Sequence, residues 1–167
     1  AVGGAMVYAK DKKTAAMLCD LIAKNEFTKK YLAVVSGEPD EQGEMNDILF
    51  KNSKENKSYV VKNMRKGAKE ASLEYKTLKR VKIDENSFAN LEEILLHTGR
   101  SHQIRVQFAS RKMPLFGDGK YGSRIKNCSV ALFSHELSFI HPRTKEHLTV
   151  TAEIPSGYPW DLFTYIQ

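Results

Sequence analysis

The sequence predicts an α+β protein: a single domain on a mixed, largely antiparallel sheet with a few flanking helices. Three observations predict it. Apolar runs of strand length recur from Tyr31 to Ile154, several of them alternating with polar residues. Turn chemistry separates them, as in Ser36-Gly37-Glu38-Pro39 and Asp84-Glu85-Asn86-Ser87. Only segments 12–24, 101–112 and 159–166 carry helical spacing or helix punctuation. At 167 residues, 41% hydrophobic, the chain has the size and core of one domain spanning 1–167.

The elements run in this order. Ala5-Met6-Val7-Tyr8-Ala9 reads as a short strand after two glycines. Asp11 is a helix N-cap, and Ala15, Leu18 and Ile22 come after it at helical spacing, so 12–24 is an amphipathic helix. Tyr31 to Val35 is a strand. The polar, basic stretch from Gly43 to Gly67 is a hairpin excursion turned by Asn52 to Lys57. Glu70 to Ile83 alternates as a half-exposed strand does, and Phe88 to Leu96 returns beside it. Ser101 caps a helix running to about Lys112, with Pro114 beyond its end. Gly117 to Gly122 is irregular. Val130–Ile140 and His147–Ile154 form a last hairpin, and 159–166 is a closing helix.

The net charge of +6 favours a polyanionic partner, RNA or DNA ahead of a membrane surface, over the bland alternative of a solvated basic face. Lys51, Lys54, Lys57, Lys62, Arg65, Lys66 and Lys69 concentrate that charge on the hairpin excursion. Cys19 and Cys128 are far apart and form no CxxC pair, which fits a reduced, cytoplasmic protein. No apolar run approaches the ~20 residues of a membrane span. His135, His141 and His147 recur every sixth residue, but no Cys or carboxylate completes a tight set, so no metal is expected. A monomer is the default.

The densest chemistry is His97-Thr98-Gly99-Arg100-Ser101-His102-Gln103-Ile104-Arg105-Val106-Gln107. On a helical wheel from Ser101, Ile104 and Phe108 form an apolar arc and Arg105 falls inside it, at about 40°. Gln103, Gln107 and Ser110 fall on the opposite side, at about 180–240°. Arg105 therefore points toward the body of the protein. An inward guanidinium is costly unless a carboxylate grips its fork. The alternative is an arginine that snorkels to the rim. The helix start, flanked by Arg100 and His102, suits a phosphate.

These residues resemble the RluA-type family of RNA pseudouridine synthases. Thr98-Gly99-Arg100-Ser101-His102-Gln103-Ile104-Arg105 matches the family's hallmark. Pro114-Leu115-Phe116-Gly117-Asp118 with Tyr121-Gly122 is similar to its next motif. Lys29-Lys30-Tyr31-Leu32-Ala33 resembles the motif of its active-site tyrosine, and Leu137 to Pro142 resembles its closing hairpin. The resemblance implies isomerisation of a uridine in RNA without cofactor or metal, in a cleft across a largely antiparallel sheet, with ribosomal RNA favoured over tRNA. It implies that Arg105 pairs with a catalytic aspartate and that Tyr31 stacks on the target base. Arg100, His102, Gln103, Lys29 and Lys30 are the candidate RNA contacts.

The departure is at the front. Gly3-Gly4 and Ala5 to Lys10 match the segment just after the family's catalytic aspartate, which by this register lies two residues before Ala1. Residues 1–167 alone are expected to be inactive, lacking that nucleophile. Gln107 stands where histidine is common and Lys145 where glycine is common, both read as outer positions. The alternatives are a non-catalytic RNA-binding fragment or degenerate homologue, and a metal-free ribonuclease using His102 with a second histidine.

The chemistry explains the residue types. Moving a base from a nitrogen to a carbon attachment needs a carboxylate beside sugar and base. An adjacent arginine keeps that carboxylate ionised. The C5 proton needs a positioned base or relay. An aromatic side chain holds the turned-out base.

Overall fold

The structure is a computed structural model that describes residues 2–163. The strands are β1 (Gly3–Gly4), β2 (Phe27–Val35), β3 (Gln42–Asn52), β4 (Lys57–Val61), β5 (Ala68–Asp84), β6 (Ser87–Leu96), β7 (Leu132–Ile140) and β8 (His147–Thr151). The helices are α1 (Lys12–Ala23) and α2 (Gln103–Ser110), with 3-10 turns at Gly119–Tyr121 and Trp160–Phe163. All eight strands join one sheet in the order β1-β7-β2-β6-β5-β3-β4, with β8 also on β7. β1 runs parallel to β7 and the other pairings are antiparallel. The mixed, largely antiparallel α+β architecture is as the sequence predicts.

Local chemistry sets the elements. Asp11 caps α1 by accepting from the Thr14 amide at 2.8 Å. Asn52 turns the β3–β4 hairpin, its Oδ1 accepting from the Lys54 amide at 3.1 Å, and Asn56 takes a left-handed φ of 47°. Asp84 turns β5 into β6 through the Asn86 amide. β2 is central, and its apolar end is buried on both faces. Leu32 and Val34 pack with Leu91, Phe116, Ala131 and Phe163. Ala33 and Val35 pack on the other face with Met45, Leu73, Ile94, and Ile104 and Phe108 of α2.

Ala5 to Ala9 is not a strand; only Gly3–Gly4 pairs, opposite Phe133–Ser134. Beyond Ser134 the same edge of β7 is taken by β8, which pairs from Glu136 to Ile140. The chain therefore leaves the sheet at Ala5, whose amide still donates to the Ser134 carbonyl at 2.7 Å, and turns into α1. Gly4 has φ 119°, and a Cβ there would lie 2.1 Å from the Ser134 carbonyl oxygen, so the crossing requires glycine. At the other end only Trp160–Phe163 is helical, as a 3-10 turn, and 164–166 of the expected closing helix lie outside the described residues.

Candidate active site

Both helices lie on one face of the sheet. α1 covers Phe27 of β2 through the cluster of Ala5, Leu18, Leu137 and Phe139. α2 covers Ala33 and Val35 at the other end of the same strand. Side chains two apart on a strand share a face. Lys29 and Tyr31 therefore form the floor between the helices, both half-buried. Tyr31 stands opposite Ile94 of β6 and Ser134 of β7, and Gly4 passes on the far side of Ser134. The parallel register carries the chain ahead of Gly3 toward the Leu132 end of β7, where the Ala131 amide donates to the Phe116 carbonyl.

Arg105 faces inward, as the wheel predicts, and its carboxylate comes from within the chain. Nε donates to Asp118 Oδ2 at 2.6 Å and Nη2 to Oδ1 at 2.7 Å, a bidentate grip that leaves Nη1 outside it. The Asp118 side chain is 1% exposed and that of Arg105 16%. This hydrogen-bonded pairing raises the Arg105 pKa despite the opposing effect of burial. Asp118 is delivered by a loop that has no slack. The Phe116 amide donates to the Val34 carbonyl at 2.9 Å, and Gly117 has φ 74°, with a Cβ there only 2.3 Å from the Ser129 carbonyl oxygen. The Asp118 carbonyl then accepts from the Tyr121 and Ser123 amides.

Tyr121 joins this loop to the hairpin. Its hydroxyl oxygen accepts from the Ser58 amide at 2.8 Å and lies 3.0 Å from His102 Nδ1. The Arg105 guanidinium sits 5.1 Å from its ring centroid and Lys57 Nζ 5.4 Å. Ser58 Oγ donates to the Ser101 carbonyl at 2.6 Å and Lys120 to the Asn56 carbonyl, so β4 is latched across the start of α2. Tyr121→Phe strands the buried Ser58 amide and is expected to cost about 1–3 kcal/mol in urea unfolding. Burial and the neighbouring Arg105 lower the His102 pKa, which favours the neutral imidazole.

The sequence expectations for α2 need three corrections. Ser101 does not cap the helix. The N-cap is His102, in a left-handed conformation (φ 54°) and without a side-chain cap. The helix ends at Ser110, with Arg111 as C-cap, rather than near Lys112. Gln103 and Gln107 are buried rather than outward. A wheel assumes one buried face, but α2 lies between the sheet and the β3–β4 hairpin. Gln103 is consumed within the protein: Oε1 accepts from Thr98 Oγ1 and the Arg100 amide, and Nε2 donates to the Ser72 carbonyl. It has no group left for RNA. Gln107 Nε2 donates to the Met45 carbonyl and Asp47, while its Oε1 finds no partner among the described residues.

The other candidates separate. Lys30 faces away from Tyr31 and pairs with Glu136 at 3.3 Å on the opposite side of the sheet. Arg100 donates from Nε to the Glu70 carbonyl and lines a groove of about 760 Å³ with Thr98, Ser72 and Lys62. His102 joins Arg105 around Tyr121. His135, His141 and His147 each hydrogen-bond within the β7–β8 region. Among the described residues no group of His, Cys, Asp and Glu is placed to hold a metal, and no helix is long and apolar enough to cross a membrane.

A mixed sheet carrying a tyrosine on the floor of a cleft and an inward arginine on the helix at its head defines a class of base-modifying scaffold. The family model of the RNA pseudouridylate synthases matches residues 1–110, and the chain belongs to that family, in its RluA-type branch. It is 32% identical to an uncharacterised RNA pseudouridine synthase of Synechocystis over 98% of this chain and 50% of that protein. It is 32% identical to tRNA pseudouridine synthase C of Haemophilus influenzae, over 89% of this chain and 68% of that one. It is 30% identical to ribosomal large subunit pseudouridine synthase D of Zymomonas mobilis, over 91% and 49%. The chain thus spans about half the length of several curated relatives it matches. Human RNA pseudouridylate synthase domain containing 1 shares the fold, with a TM-score of 0.73 at 21% identity over 88% of this chain and 62% of that one.

Proposed function

We propose that this domain isomerises a uridine in structured RNA to pseudouridine. The observation that carries the reading is the shared face: Tyr31 lies between α1 and α2, the Arg105–Asp118 pair sits at the α2 end, and the track ahead of Gly3 approaches that end. A carboxylate arriving along that track meets the half of the Arg105 fork that Asp118 does not hold. Arg105 keeps it ionised and fixes its direction. Tyr31 supports the turned-out base. The N1–C1′ bond breaks, a C5–C1′ bond forms, the C5 proton leaves to water and N1 takes up a proton. The reaction is redox-neutral, so this balance calls for no electron carrier.

The test uses RNA labelled with tritium at uridine C5, with tRNA and ribosomal transcripts assayed side by side. Relatives named for each are similar to this chain to nearly the same degree, and the ribosomal transcript is the favoured substrate. A protein that extends ahead of Ala1 through Arg-Leu-Asp is expected to release tritium, and residues 1–167 alone are not. Release by the short chain overturns the register. Arg105→Lys in the extended protein keeps the charge beside Asp118 but loses the fork, and turnover is expected to fall by about 10²-fold or more. Near-normal turnover sinks the role assigned to Arg105. One observation favours RNA binding without turnover: Arg105 already has a carboxylate in Asp118. That reading predicts RNA binding and no tritium release from either protein.

A further inference from the structure

We propose that Lys29 is a phosphate-binding residue of the cleft, taking the backbone phosphate of the nucleotide whose base lies against Tyr31. The inference rests on the RNA reading above and assigns one contact within it.

Two neighbouring lysines in β2 have opposite fates. Lys30 is paired with Glu136 on the far face. Lys29 points into the floor between α1 and α2, and no hydrogen bond or ion pair holds it among the described residues. Its neighbours by register give its ammonium no anion. Leu137 is directly opposite on β7, and Phe27 and Tyr31 are the same-face positions along its own strand. Half-burial without a counter-charge disfavours the ammonium and lowers the Lys29 pKa. A lysine kept in that state is placed for an anion that comes and goes.

Position identifies the anion. Lys29 and Tyr31 share a face about 7 Å apart along the strand. A base on the Tyr31 ring carries its charge one ribose away, on the phosphodiester. A point charge on a flexible stem suits a single phosphate oxygen without demanding a fork.

The experiment measures binding of a fluorescein-labelled RNA stem-loop with one loop uridine by anisotropy, using the full chain with and without its N-terminal extension, across about 50 to 300 mM KCl. Lys29→Met keeps the stem and removes the charge. It is expected to weaken binding about tenfold and to reduce the slope of log affinity against log salt by about 0.7, one single-strand phosphate. Its unfolding midpoint should stay level or rise, since an uncompensated half-buried charge is removed. Lys76→Met, a charge lost from the opposite face, should leave the slope unchanged. Unchanged affinity and slope in Lys29→Met, or weaker binding at an unchanged slope, overturns the inference and leaves the RNA reading standing. No binding by the unaltered protein sinks both.

Discussion

Asp118→Ala is expected to destabilise the protein by about 3–5 kcal/mol, measured by urea unfolding at neutral pH. The substitution leaves Arg105 buried among α2, Tyr121 and the loop with its fork empty. That loss is a large part of the 5–15 kcal/mol typical of a domain. Arg105 cannot escape by losing its proton. Its guanidinium is 16% exposed, so water reaches it only at the edge. Replacing both partners at once, Arg105→Met with Asp118→Leu, should recover most of the loss, because apolar side chains of similar volume carry no desolvation cost. If Asp118→Ala costs less than about 1 kcal/mol, Arg105 is not the buried partner the geometry describes. Asp118 therefore has a structural task distinct from that of the arriving carboxylate: it holds the arginine in place from the inside.

Glu92→Gln is expected to flatten the dependence of stability on pH. Glu92 lies on β6 between Ala33 of β2 and Thr77 of β5 and is fully buried. Burial pushes its carboxyl up to about 7, only partly offset by Thr77 and the more distant Arg80. The hydrogen bonds agree. Thr77 Oγ1 lies 3.0 Å from Glu92 Oε1 and 3.0 Å from the Asp40 carbonyl, and a hydroxyl has one proton to give. A protonated Glu92 donates to Thr77, which donates to Asp40, and every group is satisfied. An ionised Glu92 takes the Thr77 proton for itself and strands the carbonyl. With the folded pKa above the unfolded one, the folded state binds more protons between about 4.5 and about 7. The stability from this group is full below about 4.5 and is lost as pH rises through about 7, on the order of 3 kcal/mol across that window. Glutamine donates its amide to Thr77 at every pH. Unfolding at pH 5, 6, 7 and 8 should show the unaltered protein losing stability upward and Glu92→Gln holding level, the more stable of the two at pH 8. Parallel profiles would assign the pH dependence elsewhere.

Most of the fold was legible because its signals are local. The Asp11 cap, the Asn52 and Asp84 turns and the alternation along β5 each act within a few residues, where side chain and backbone compete for the same hydrogen bonds. The inward Arg105 was legible for the same reason, since Ile104 and Phe108 on one helix define which way is in. The two glutamines were misread because burial of α2 on a second face depends on β4, more than forty residues earlier, latching onto Ser101 through Ser58. Ala5 to Ala9 was misread because an apolar run pairs only where an edge is free, and β8 had taken that edge.

The sequence by itself determined the family through the run from Thr98 to Arg105 and the Tyr31 motif, the strand order of chemistry along the chain, and the need for a carboxylate at Arg105. Only the tertiary structure decided that the carboxylate in place is Asp118, thirteen residues on, that Lys29 and Lys30 face opposite ways with and without a partner, and that Glu92 is buried. A residue type and its spacing set what a side chain needs. Which distant group meets the need is settled by packing, where the sheet, the hairpin and the Gly117 turn bring together positions that no local pattern relates.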